Sequence, residues 1–264
     1  MQISFLVLIS LIFGLRDAFG ISFYSPNEFA SVGMGSYKVK DEKRIIPIKV
    51  DRAYDILKTE VTQETFFKVT GYNPSYFKYQ KYCKKSHVKM AQHQYCPRLP
   101  VENITRKDAL YFLSLLNKKK DGYHYKLPNY FEWDKAARGI KGSSQFEFEL
   151  DMYKEVLDKV SWYKENSEGQ AREVKSKKAN ALGIYDLRGN VWEILEEMTD
   201  DPDITEIYER SIYKMKIKES GRYLLMRGGA WYYKKYFSNF FEVSQELRNV
   251  SSNVMGFRIV RVKR

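Results

Sequence analysis

Asn180-Ala181-Leu182-Gly183-Ile184-Tyr185-Asp186-Leu187-Arg188-Gly189-Asn190-Val191-Trp192-Glu193 sets two glycines, one tryptophan, two carboxylates and an arginine close together. Gly189 frees the backbone for a turn that side chains disfavour, and Trp192 brings a large ring of the kind that anchors a core. Asp186 and Glu193 offer carboxylates, and the carbonyls of Gly189 and Val191 lie between them. Hard oxygen donors this close suit Ca²⁺ better than zinc or copper. The same carboxylates could instead cap turns or pair with Arg188 or a lysine, and the residues alone leave both readings open.

Outward from this segment the pattern continues. Downstream stand Arg227-Gly228-Gly229-Ala230-Trp231 and Gly256-Phe257-Arg258; upstream stand Thr59-Glu60-Val61-Thr62, the run from Pro100 to Ala109, and Tyr125-Lys126-Leu127-Pro128-Asn129 leading into Trp133 and Gly139. Trp133, Trp192 and Trp231 all fall inside these segments. Three short helices are predicted. Thr62 caps the first, which carries Phe66, Phe67 and Val69 and ends at Gly71. Thr105, with Asp108 in third position, starts a second carrying Ala109, Leu110, Phe112, Leu113, Leu115 and Leu116; Asn129 with Glu132 starts a third that Gly139 ends. Beyond residue 160 glycines, asparagines and aromatics predict loops and short strands. Residues 200–220 read as an exposed excursion. Tyr223 to Arg227 and Gly256 to Arg261 read as strands, the latter with Phe257, Ile259 and Arg261 on one face. One α+β domain is the economical architecture.

The chain has 264 residues, 44% hydrophobic and 16% aromatic, with 45 basic against 33 acidic residues, a net charge of +12. That composition excludes a disordered polycation. The lysines are dispersed, and no RNP, zinc-finger or helix-turn-helix signature is present, so no nucleic acid is expected as a partner. The charge reads either as a lysine-rich solvated surface or as a patch for an anionic polymer. Ile3 to Leu15 is an apolar run followed by Ala18-Phe19-Gly20. It reads as a signal peptide over residues 1–20, since thirteen residues span only about 20 Å of a core roughly 30 Å thick. An uncleaved anchor and a buried strand are the rival readings. No other run is long enough to cross a bilayer, so the chain is read as not an integral membrane protein but secreted or periplasmic. Residues 21–32 then read as a lead-in and 33–264 as the domain.

Taken in order and spacing, the quoted segments resemble the formylglycine-generating enzyme, or sulfatase-modifying factor, domain family, which has a variant C-type-lectin-like fold. The resemblance implies a structural calcium held by the positions matching Asp186, Gly189, Val191 and Glu193. A second family calcium site finds no acidic match between Ser161 and Glu173. The family reaction, oxidation of a substrate cysteine to formylglycine, uses two cysteines that bind copper(I), a soft ion that thiolates select. The matching positions here are Tyr233 and Ser238, and the family's serine is Ala230. Without a thiolate, copper-dependent formylglycine formation is not expected.

The chain's two cysteines, Cys83 and Cys96, form C-x3-H-x5-H-x2-C with His87 and His93. A disulfide closing a twelve-residue loop is the simpler reading, and a zinc or iron site the other. His124 reads as a structural histidine beside a strand. Where the family carries its active site, this chain is aromatic and basic: Trp231, Tyr232, Tyr233, Lys234 and Tyr236 are the candidates for a ligand groove. The expectation is an exported, calcium-stabilised, noncatalytic binding or accessory factor at the cell envelope. Its partner would be a protein, a peptide or an anionic envelope polymer. Relatives of the domain in nonheme-iron sulfoxide synthases and siderophore maturation make an oxidoreductase the first alternative, and a structural subunit of a surface assembly is the second.

Overall fold

Capping side chains start the helices where the sequence places them. The computed structural model describes residues 23–41, 44–139, 157–199, 221–235 and 243–264. The signal-peptide segment, residues 200–220, and Tyr236 and Ser238 lie outside them. Helix α1 (Gln63–Thr70) begins where the Thr62 side chain accepts from Thr65 N and ends at Gly71 in the left-handed region. The four-residue α2 (Gln80–Cys83) follows. Reciprocal capping boxes, Thr105 with Asp108 and Asn129 with Glu132, start α3 (Arg106–Asn117) and α4 (Tyr130–Ala137); each cap satisfies N–H groups that the helix cannot. A short α5 (Leu157–Val160) completes the described helices.

The strands are β1 (Phe29–Val32), β2 (Gly35–Asp41), β3 (Arg44–Val50), β4 (Tyr54–Leu57), β5 (Val88–Met90), β6 (His93–Tyr95), β7 (Tyr123–Lys126), β8 (Trp192–Thr199), β9 (Tyr223–Arg227), β10 (Val243–Leu247), β11 (Met255–Gly256) and β12 (Val260–Lys263). One antiparallel sheet runs β1-β4-β12-β7, a second runs β10-β9-β8-β11 with β11 parallel to β8, and β2–β3 and β5–β6 are separate hairpins. The fold is thus α+β, with short elements throughout. β1 pairs with β4 from Phe29↔Leu57 to Val32↔Tyr54, so part of the segment read as a lead-in belongs to the first sheet.

Expecting one strand from Gly256 to Arg261 needs correction. The chain leaves β11 after Gly256 and enters β12 only at Val260. Phe257, Arg258 and Ile259 between them are all fully buried. A strand with one wet face would alternate. Here Arg258 is buried too, because its guanidinium is needed inside, and the backbone carbonyls of Phe257 and Ile259 accept from Val61 N and Leu57 N. This crossing links the two sheets.

Three tryptophans anchor the interior as expected: Trp133 is 0% exposed, Trp192 3% and Trp231 8%. Trp133 belongs to the core cluster that includes the β2–β3 hairpin residues Tyr37, Ile48 and Val50, Trp192 to the one that includes Phe66, Phe112 and Phe257, and Trp231 to the one with Phe77 and Leu99. Gly189 has φ 75°, and a Cβ there would lie 1.9 Å from the carbonyl oxygen of Trp162. Gly71 has a similar φ of 82° with open space around it. Replacing Gly71 by Ala should therefore cost only the left-handed penalty of about 1–2 kcal/mol. Gly189→Ala must also displace backbone, and chemical denaturation should show a loss at least twice as large; equal losses would mean that the close approach is not rigid.

Candidate functional site

The segment from Asn180 to Glu193 is held in place by its own side chains. Asn180 Oδ1 accepts from Leu182 N at 3.0 Å and Ile184 N at 3.1 Å, while its Nδ2 donates to Ala136 O at 2.8 Å, tying the turn to the end of α4. Asn190 reaches across to Arg172, accepting from its N–H at 2.9 Å and donating to its carbonyl at 3.2 Å. Asp186 and Asn190 take left-handed φ values of 57° and 60°, which short polar side chains tolerate.

At its centre lies a buried charge cluster. Arg258 donates from Nε to Glu193 Oε2 and from Nη2 to Glu193 Oε1, each at 2.6 Å, and Trp133 Nε1 donates to Oε2 at 2.6 Å. The same guanidinium reaches Leu57 O and Tyr185 O, both at 3.0 Å. Of the two readings of the acidic pair, Glu193 therefore follows the ion-pair one, with Arg258 in place of Arg188 or a lysine. Asp186 Oδ2 accepts from Lys175 N at 2.8 Å, whereas its Oδ1 is buried without a hydrogen-bond partner. Burial pushes the Asp186 carboxyl up to about 6, with the Lys175 N–H and Arg258 opposing and Glu193 adding to the rise.

Glu60 joins the cluster, although the sequence did not single it out as a site residue. It is fully buried, and neither carboxylate oxygen has a partner. Burial first and Asp186 second raise its pKa well above the ordinary value. The signal for it was an acid inside the otherwise uncharged Thr59-Glu60-Val61-Thr62. With Glu60, Asp186 and Glu193 ionised against one guanidinium, the pocket would carry two negative charges in excess, an arrangement that calls for protons or a cation. Asp186 has an oxygen to offer calcium; Glu193 has only the lone pairs that Arg258 and Trp133 leave. No three His, Cys, Asp or Glu side chains converge on a metal position among the described residues.

The second region is the aromatic and basic one. Trp231 is core: it packs edge-on against Phe77 at 5.3 Å, and its Nε1 donates to Asn253 O at 3.0 Å. Tyr232 is 57% exposed, with Lys164 Nζ 5.7 Å from its ring centroid. Tyr233 is half-buried against Trp192 at 5.9 Å and Tyr232 at 5.7 Å; burial raises its pKa. Lys234 is exposed. Of the five groove candidates, then, Trp231 packs inward, Tyr232, Tyr233 and Lys234 line the surface, and Tyr236 lies outside the described residues. The sequence missed that the ring path continues through Phe77 to Tyr76 at 5.1 Å and Tyr82 at 5.0 Å, with Tyr76 52% exposed. Its signal was the density of Tyr72, Tyr76, Phe77, Tyr79 and Tyr82 in one short run.

Cys83 and Cys96 form a disulfide, and no free cysteine remains, so the metal reading of C-x3-H-x5-H-x2-C is overturned. The histidines are used separately. His93 packs at a tilt against Phe67 at 5.1 Å, and His124 is exposed on β7. A cavity of about 630 Å³ opens beside the disulfide, lined by Lys81, Lys84, Lys85, Arg98, Arg172 and Trp162 among others.

The family described as sulfatase-modifying factor enzyme 1-like domain matches residues 24–263. A curated relative, "Chaperone protein LppX" of Paenibacillus barcinonensis, is 29% identical over 183 residues, covering 56% of this chain and 64% of that protein. The chain thus matches less than two thirds of that relative's length. Among solved structures, Treponema denticola variable protein 1 superposes with a TM-score of 0.66 at 23% identity, covering 88% of this chain and 94% of that one. PvdO from Pseudomonas aeruginosa gives 0.63 at 19%, covering 88% and 93%. CarF gives 0.60 at 20%, covering 88% and 97%. At these identities the likeness shows a shared fold.

Glu102 ties the aromatic path to pH. Its Oε1 accepts from Phe77 N at 2.9 Å while Oε2 is buried without a partner, and burial lifts its pKa from 4.5 to about 8. The folded chain then holds a proton that the unfolded chain releases, so this group's contribution to stability falls as pH rises from about 4.5 to 8 and levels off above. Glu102→Gln keeps an acceptor for Phe77. It should flatten the decline in Tm between pH 5 and 8; an unchanged pH profile would contradict the assignment.

Proposed function

Because the chain belongs to the sulfatase-modifying factor enzyme 1-like domain family, we propose that it uses that scaffold as a noncatalytic binding or accessory factor at the cell envelope. One observation carries the proposal: Tyr233, which with Ser238 matches the family's two copper-ligating positions by the resemblance, packs its ring against Trp192 and Tyr232. Both cysteines are spent on a disulfide in another loop. A phenol is a hard donor and does not substitute for a thiolate on copper(I), so the residues present do not fit that ion. What remains is a surface of rings and lysines suited to holding a partner. The name of the chaperone relative points the same way, toward contact with another chain. The partner is a protein, a peptide or an anionic envelope polymer.

The disulfide suits an oxidising compartment. No helix among the described residues is long and apolar enough to cross a membrane. Export by residues 1–20 as a signal peptide completes this reading.

A structural calcium belongs to the proposal, at Asp186 with the carbonyls of Gly189 and Val191 and with the charge of Glu193. Its support is the excess of buried negative charge and the unpartnered Asp186 Oδ1. Calcium there would neutralise the cluster and hold the segment that carries Gly189 and Trp192.

Two outcomes test these statements. A sulfatase-derived cysteine peptide incubated with the protein, copper(I) and oxygen should keep its mass, as in buffer; conversion to formylglycine would refute the noncatalytic assignment. After removal of bound calcium by a chelator, saturating Ca²⁺ should raise Tm by about 5 °C or more in the wild type and leave Asp186→Asn unmoved. A wild type insensitive to calcium would remove the ion from the proposal.

A further inference from the structure

The cavity beside the disulfide is built from two fixed walls. On one side the disulfide, the Tyr82 N to Tyr79 O bond and the Ser86 N to Cys83 O bond at 2.8 Å set the turn bearing Lys81, Lys84 and Lys85. On the other, Val174 N donates to Arg98 O at 2.9 Å, and Trp162 Nε1 donates to Ser176 Oγ at 2.8 Å. Gln170 Nε2 donates to Tyr82 O at 3.3 Å, joining the two.

The charges in this space do not balance. Arg98 is paired with Glu173 at 2.7 Å and Arg172 with Glu168 at 3.1 Å, which accounts for both acidic residues of the lining. Lys81, Lys84 and Lys85 then have no acidic partner among the described ion pairs, leaving three positive charges facing one cavity. The rings present do not offer bare stacking faces. Lys81 Nζ lies 4.8 Å over Tyr82, while Lys177 Nζ and Arg172 lie 3.9 Å and 5.2 Å from the Trp162 centroid. Rings here hold cations, and Leu99 is the only aliphatic hydrophobic residue of the lining.

We propose that this cavity binds a segment of a hydrated polyanion, a sugar or polyol chain bearing repeated sulfate, phosphate or carboxylate groups, through Lys81, Lys84 and Lys85. Three features select this class over an acidic peptide. The cavity lacks an apolar pocket to seat a peptide side chain. Its arginines, the residues best shaped for bidentate grip on a carboxylate, are already paired. The cations without a carboxylate partner are lysines, Lys81 resting on Tyr82, and lysines act as point charges toward repeated anions. A net charge of +12 would speed the encounter. The inference extends the reading of the chain as a binder, and the peptide-oxidation assay fails independently of it.

The test measures binding of the intact protein by calorimetry to oligomers of dextran sulfate, poly(glycerol phosphate) and polygalacturonate, with neutral dextran and polyglutamate as controls. The three polyanions should bind with affinity falling steeply with salt, neutral dextran should not bind, and polyglutamate should bind at least tenfold more weakly. Comparing the three resolves which anionic group is preferred. The combined Lys81→Gln, Lys84→Gln and Lys85→Gln variant should lose at least tenfold in affinity and show a shallower salt dependence. The combined Lys107→Gln, Lys118→Gln and Lys120→Gln variant, with the same change in net charge outside the cavity lining, should lose less than threefold. Equal losses in the two variants would overturn the site in favour of diffuse attraction. Polyglutamate binding as tightly as the polymers, with the same lysine dependence, would overturn the polymer class in favour of an acidic peptide.

Discussion

The bidentate bond between Arg258 and Glu193 is the interaction on which this architecture depends. Glu193 stands in β8 of one sheet, and Arg258 lies in the crossing from β11 to β12, the strand central to the other. The same two side chains also engage Trp133 of α4, Leu57 of β4 and Tyr185. A buried ion pair is a weak source of net stability, yet removing one partner strands the other charge and costs about 3–5 kcal/mol. Its role here is specificity: one guanidinium with these acceptors permits one mutual placement of sheets and helix. It also explains why the segment before β12 is buried on every side.

A second network holds α4 at the very next residue. Asp134 is buried between Arg138 at 2.7 Å and Arg227 at 3.0 Å and accepts from Tyr37 at 2.9 Å. The two arginines hold its carboxyl below the usual carboxylate range against the opposing effect of burial. Arg227 in turn lies 4.3 Å from the Tyr130 ring centroid and 4.7 Å from that of Trp133. With the interior fixed by such pairs, surface loops are free to differ, and function follows the loops rather than the scaffold. In this chain they present the rings of Tyr232 and Tyr233 on one loop and lysines around the disulfide.

Local signals were legible in the sequence because local physics sets them. Thr62, Thr105 and Asn129 cap the helices they were expected to cap, Gly71 ends the first helix, and the tryptophans are buried. The pairing of Cys83 with Cys96 was legible too, since the chain offers no other partner. Long-range burial was not. Alternation suggested a half-exposed strand at Gly256 to Arg261, and nothing local marks Arg258 as the partner of a residue sixty-five positions earlier. Glu60 likewise resembles any surface acid until the fold closes over it. Trp231 was grouped with groove residues by composition, yet its neighbour Tyr232 faces solvent while it packs against Phe77. A run of aromatics does not disclose which members point inward.

The central claim is that this scaffold binds without redox chemistry and balances its buried carboxylates with calcium. Elemental mass spectrometry of the full chain, exported to an oxidising compartment and purified without added metals, tests it most directly. The account predicts calcium at about one per chain and neither copper nor iron above background. Copper or iron at comparable occupancy would contradict it and would turn the search toward an oxidised substrate.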